Sequence, residues 1–170
     1  MLTSVQLLTL KTDILADPVL NAQPQTSDGA FAIAAAYNLA AVPDFWVFRT
    51  KVTKDEIVGS ASVDGTTFAW TGAGYITRNQ GERDAFNAIF NSQGAVNASL
   101  ANVRQAFIDI FSGGTAPAPA NRTHLAAMAR RKATRGEKLF ATGTGSTAAP
   151  GTMVVEGQIT VQDVQDARSS

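Results

Sequence analysis

Two stretches of this chain suit neither helix nor strand, and they set its organisation: GGTAPAPA at 113–120 and ATGTGSTAAPG at 141–151. Alternating Ala and Pro favour an extended, semi-rigid connector, since proline has no N–H for a helix or a ladder. The Gly, Ser and Thr run at 141–151 has the composition of a flexible leash. The 170 residues then divide into a body over 1–112, a linker over 113–120, a helix over 121–140, and a leash with a C-terminal arm over 141–170.

The body reads as mainly α. Leu2, Val5, Leu8, Ile14 and Leu15 recur at helical spacing, which predicts an amphipathic helix over 4–16. It ends at Asp17-Pro18, because the residue before proline avoids the α region, and Pro18 can open a short turn of helix. Ser27-Asp28 caps an Ala-rich segment to Ala40, expected as the central helix of a bundle. Phe45, Trp46, Val47 and Phe48 suit either a strand or a helix. Thr53 and Glu56 have capping-box spacing, and Asp64-Gly65 marks a turn before a loop or small hairpin around Trp70, Gly72 and Gly74. Thr77 or Asn79 opens a helix through Phe86 and Phe90, and Ser99 opens another through Phe111.

Beyond the body, Asn121 is the expected cap of one long basic helix to Phe140. Arg122, Arg130, Arg131, Lys132, Arg135 and Lys138 stand there against Glu137 alone. That is a net +5 in a chain of zero net charge, leaving −5 elsewhere. A solvated helix face explains such a run. So does electrostatic docking, either on an acidic protein ring or on DNA in a channel, where phosphate contacts carry no sequence information. The arm, Met153 to Ile159 followed by a short helix from Thr160, reads as a strand without a hairpin partner. Met153, Val154, Val155, Ile159, Val161 and Val164 are its candidates for pairing with another subunit.

Little here suggests catalysis, and the expectation is a non-enzyme without cofactor or metal. There is no cysteine, and the lone histidine, His124, beside Arg122, has no G-x-S-x-G nucleophile elbow to serve. Asp13, Asp17 and Asp28 lack calcium-loop spacing, while Asp55, Glu56, Glu82 and Asp84 suit helix starts. The 142–146 glycines follow a helix rather than a strand and lack the lysine of a phosphate-binding loop. The run Ala30 to Ala36 is too short to cross a bilayer, and 1–4 lack the basic start of a secretory signal, so no membrane partner is expected. Only 16% of residues are charged, as in an Ala-rich monomer or a surface covered by neighbours.

Several words of this sequence resemble a family encoded among the head and tail morphogenesis genes of tailed bacteriophages. They are LADPVL at 15–20, SDGAFAIAAAYN at 27–38, PDFWVFRT at 43–50, RKATRGEKLFATGTGS at 131–146 and MVVEGQITVQDVQDAR at 153–168. The resemblance implies a structural virion protein assembled in the host cytoplasm. Its implied place is the neck, as a head–tail connector or adaptor ring of about a dozen copies docked on the portal. A neighbouring neck or tail protein and non-specific contact with packaged DNA follow as partners. The alternatives are a capsid-decoration or tail-terminator protein, and a small DNA-binding or packaging protein using 121–140.

Overall fold

Five helices begin by the same device. At Thr3, Thr53, Asn79, Thr134 and Thr160 the cap side chain accepts the backbone N–H three residues on. Gln6, Glu56, Glu82, Glu137 and Asp163 bond back to the cap N–H. Each pairing satisfies two donors that a helix start otherwise leaves orphaned. Thr26 accepts from Gly29 N–H, and Asp17 accepts from both Val19 and Leu20 N–H with Pro18 in the first turn. These local bonds set most of the boundaries below.

The structure is a computed structural model that describes residues 1–71, 74–90, 94–114 and 116–170. It is mainly α, about 49% helix and 9% strand. In chain order come α1 (Ser4–Ala16), α2 (Pro18–Asn21), α3 (Ser27–Tyr37), β1 (Trp46–Phe48), β2 (Val52–Thr53) and α4 (Lys54–Gly59). Then follow α5 (Gln80–Ile89), β3 (Ala95–Val96), α6 (Ala101–Ile110), α7 (Ala118–Met128), β4 (Arg130–Lys132), α8 (Arg135–Phe140) and α9 (Val161–Ser169). β1 pairs with β4, and β2 runs antiparallel to β3 with Val52 opposite Val96.

Two units share the chain. The first joins Met1–Val47 to Lys132–Ser170. Its core holds Leu10, Ile14, Ile33 and Tyr37 from α1 and α3 with Ile159, Val164 and Ala167 from the C-terminal segment. The second unit is Phe48–Arg131. Its core is an aromatic cluster in which Phe86 lies 5.6 Å from Phe68 and 5.7 Å from Phe111, the latter edge-on. The sequence boundaries at 112 and 140 therefore fall within units, and 113–120 belongs to the second.

Several expectations change. No long helix runs over 121–140: α7 stops at Met128, β4 takes the chain into an extended ladder, and Thr134 caps the separate α8. Asn121 caps nothing. It is fully buried inside α7, its Oδ1 accepting Ala69 N–H at 2.7 Å and its Nδ2 donating to Ala69 O and Gly74 O. The linker already turns helical at Ala118.

The stretch 141–151 is no loose leash. Gly145 O accepts Trp46 N–H at 2.7 Å, and Gly151 N–H donates to Trp46 O at 2.8 Å. Phe45 explains the glycine at 145: a Cβ there would stand 2.2 Å from its ring, and the residue sits at φ +66°. Residues 153–159 form no strand. Of the aromatic run 45–48, Trp46–Phe48 resolves as strand, whereas the glycine at 72, residues 91–93 and the threonine at 115 lie outside the described residues.

Candidate functional surfaces

The six basic residues of 122–138 do not make one open face. Arg122 donates to Phe111 O and Gly113 O, closing the C-terminal end of α6. Arg130 pairs with Asp64, and its side chain is only 15% exposed. Lys132 meets Asp44 at 2.7 Å and lies over the Trp46 ring. Lys138 makes a long 3.5 Å contact to Pro43 O, and Arg131 is half-buried. Arg122, Arg130 and Arg131 belong to the second unit, and Lys132, Arg135 and Lys138 to the first.

Arg135 is the most fully engaged. Its guanidinium spans Asp13 at 3.0 Å and Asp17 at 2.9 Å, and it stacks on the Tyr37 ring with 4.8 Å to the centroid. Tyr37 donates its hydroxyl to Asp13 Oδ2 at 2.5 Å. Arg135, with help from the Leu20 N–H, holds the Asp17 carboxyl below the usual range. Burial, with the Asp13 bond added, pushes the Tyr37 phenol upward. The cluster ties α8 to α1 and α3 by one guanidinium shared between two carboxylates, so its plainest role is structural.

The arm residues also turn inward. Ile159, Val164 and Ala167 are buried with α1 and α3, while Met153, Val155 and Val161 are half-buried and Val154 is exposed. Asn38 and Gly136 explain the seat of Ile159. Asn38 bonds both of its backbone groups, and a Cβ at Gly136 would come within 2.6 Å of Ile159 Cγ1. Glu137 accepts Gly157 N–H at 3.2 Å, and Asp163 accepts Leu2 N–H at 3.1 Å. These contacts give 157–167 a partner within its own chain, where the sequence suggested another subunit.

His124 is completely buried in the second unit. Nε2 meets Ile57 O at 2.7 Å, and Nδ1 meets Thr66 Oγ1 and Thr66 O, each at 3.1 Å. Both ring nitrogens are occupied, by two backbone carbonyls and the Thr66 hydroxyl, an arrangement that fixes the ring within the core. Among the described residues no group of three His, Cys, Asp or Glu side chains is placed to hold a metal ion. An open polar cleft of about 340 Å³ lies beside Gln25, Thr26 and Gln165, but its Arg168 is bonded to Gln23 O and Pro24 O.

The comparisons add no relative. No family model, curated protein or solved structure matches the chain. Among the described residues no helix is long and apolar enough to cross a membrane.

Sequence patterning passed over one surface. Val5, Leu8 and Leu15 share helical spacing with Leu2 and Ile14, and together they suggested a single buried face. In the structure Leu2, Leu10 and Ile14 are buried, while Val5, Leu8 and Leu15 are exposed. Val19, Phe31, Leu39 and Val42 are exposed as well, Val42 to 90%. The signal was available: α1 is apolar on two sides, and one core cannot cover both.

Proposed function

We propose that this chain is a structural subunit of a tailed-phage particle, and that its place is a head–tail connector ring docked on the portal. The observation that carries this reading is the apolar surface of the first unit. Large side chains from Val5 to Val42 stand more than half exposed on a segment whose core is otherwise well packed. Exposed apolar side chains in this number suit a protein that neighbours cover. The phage-like words at 15–20, 27–38, 43–50, 131–146 and 153–168 supply the kind of assembly. Copies in a closed ring repeat one head-to-tail interface, which suits a chain with only 16% charged residues.

Capsid decoration and tail termination use the same kind of surface and differ in copy number and position. A DNA-binding role draws less support, because Arg122, Arg130 and Arg135 are committed to carbonyls and carboxylates of their own chain. Quantitative mass spectrometry of purified particles, with imaging of the neck, tests the assignment. About a dozen copies at the portal vertex is the expected result. Hundreds over the shell make it a decoration protein, and absence from particles overturns the structural reading.

A further inference from the structure

We infer that His124 closes a one-way hydrogen-bond latch, which fastens the turn over 62–66 to α4 and α7 of the second unit. The direction follows from the donors and acceptors, beginning at Ser62. A hydroxyl offers one donor and two acceptor sites. Ser62 Oγ accepts the Asp64 and Thr66 N–H groups, each at 3.2 Å, so both of its acceptor sites are filled. Its hydrogen therefore goes to Thr66 Oγ1, 2.7 Å away. Thr66 receives that hydrogen and turns its own to His124 Nδ1 at 3.1 Å. Across the ring, Nε2 stands 2.7 Å from Ile57 O, a carbonyl that can only accept, so Nε2 carries the ring hydrogen. A neutral ring with its hydrogen on Nδ1 instead would set the Nε2 lone pair against Ile57 O and strand the Thr66 hydroxyl. Thr66 O, also 3.1 Å from Nδ1, already accepts Ser62 N–H at 2.8 Å. The bonds thus run from two amides of the turn to a carbonyl of α4, through the neutral Nε2–H tautomer.

What the latch holds is a segment with little else to hold it. Residues 62–66 belong to no helix or strand, and Val63, Asp64 and Gly65 are exposed. Their attachment is on the inner side, where Ser62 is buried and His124 is wholly enclosed. His124 lies 58 residues beyond Thr66 and 67 beyond Ile57, so one imidazole joins three stretches that are remote in sequence. Asp64, at the outer edge of the same turn, pairs with Arg130, and the latch keeps its carboxylate in position for that pair. In a low-dielectric core each bond of such a row polarises the next, so losing one member weakens the others. Breaking the row leaves α4 and α7 their own backbone bonds and frees the turn, which becomes the first part of the unit to open. The latch lies within residues 57–124 and operates whatever particle the chain belongs to.

His124 is the only histidine, so every imidazole signal of the full chain is its own. Nitrogen-15 NMR at about pH 7.5 should show a single ring hydrogen, on Nε2, and a bare Nδ1 that accepts a hydrogen bond. Thr66→Val keeps the shape of the side chain and removes its hydroxyl. It should move the Nδ1 signal to that of a nitrogen without a donor, and Thr66→Ser should bring it back. Ser62→Ala should speed hydrogen exchange at the Asp64 and Thr66 amides about tenfold while the α7 amides keep their rates. A hydrogen on Nδ1, a doubly protonated ring, or an Nδ1 signal indifferent to Thr66→Val would overturn the latch, as would turn amides indifferent to Ser62→Ala. The ring measurement needs only the unaltered chain, so a variant that fails to fold does not shelter the proposal. Neither result bears on copy number in particles, so the latch and the virion reading fail separately.

Discussion

Asn38 holds Ile159 by both of its backbone groups: Nδ2 donates to Ile159 O and Oδ1 accepts Ile159 N–H, each at 2.9 Å. One amide side chain thus imitates a rung of a β-ladder and fixes the approach to α9. Asn121 does the same to Ala69 in the second unit. In Asn38→Ala both Ile159 groups lose their partner. The expected destabilisation is about 2–3 kcal/mol, the usual cost of orphaning part-buried polar groups, measured by urea unfolding. An unchanged midpoint would mean that water replaces the amide at no cost.

Removing 152–170 should unfold the first unit. Ile159, Val164 and Ala167 lie in its core, so the deletion strips apolar partners from Leu10, Ile14 and Ile33. Trp46 and Trp70 belong to different units and allow each to be followed by fluorescence in single-Trp variants. The expected result is a denatured-like Trp46 spectrum with a native-like Trp70. A native Trp46 spectrum in the truncated chain would mean that 152–170 is dispensable for the fold of the first unit.

Gly145→Ala should cost about 2–4 kcal/mol, since the new methyl needs both a strained positive φ and the space of the Phe45 ring. Phe45→Ala in the same background should recover part of the loss by removing the clash. Thermal melts of the two single variants and the pair measure that coupling. Strict additivity would show that φ strain alone is responsible.

Acid should weaken the second unit through Glu56. Burial alone would raise this carboxyl. The Thr53 backbone N–H, the Arg49 guanidinium at 2.6 Å and the Thr53 hydroxyl overcome that and hold it at about 2. A carboxyl lowered by folding stabilises above its unfolded pKa of 4.5 and loses that contribution as pH falls towards 2. The side chain is 39% exposed, so the screened effect is about 1 kcal/mol. Glu56→Gln should flatten the stability profile over that window, which chemical denaturation at successive pH values would reveal.

Alkali should act on the first unit in the opposite sense. Tyr37 titrates above its ordinary value of 10.0, because burial and the bond to Asp13 both favour the neutral phenol. Its contribution is complete below 10 and is lost as pH rises beyond it. Tyr37→Phe should remove this alkaline sensitivity in the same assay.

How much of this was legible in the sequence turns on range. Thr53 with Glu56 and Asn79 with Glu82 signal helix starts from three residues apart, and the structure places α4 and α5 there. Thr134 with Glu137 is the same signal, yet the charge run over 122–138 hides it and suggests one continuous helix. The glycines at 145 and 136 look like flexibility or a weak helix. Their reason lies far off in sequence, in Phe45 and Ile159, and only a folded chain brings these together. For the same reason the sequence shows the apolar spacing on α1 without showing which half of it the core leaves uncovered.

The sandwiching of 48–131 between the two segments of the first unit also sets an order of events on the ribosome. As synthesis proceeds, every residue of the second unit has been made before Lys132 is added, so that unit can fold on the emerging chain. The first unit begins earlier but cannot finish: Leu10, Ile14 and Ile33 must wait for Ile159 and Val164 to be translated. Through that interval α1 is apolar on both its sides and covered on neither, which makes the unfinished chain, rather than the finished protein, the form most in need of a chaperone.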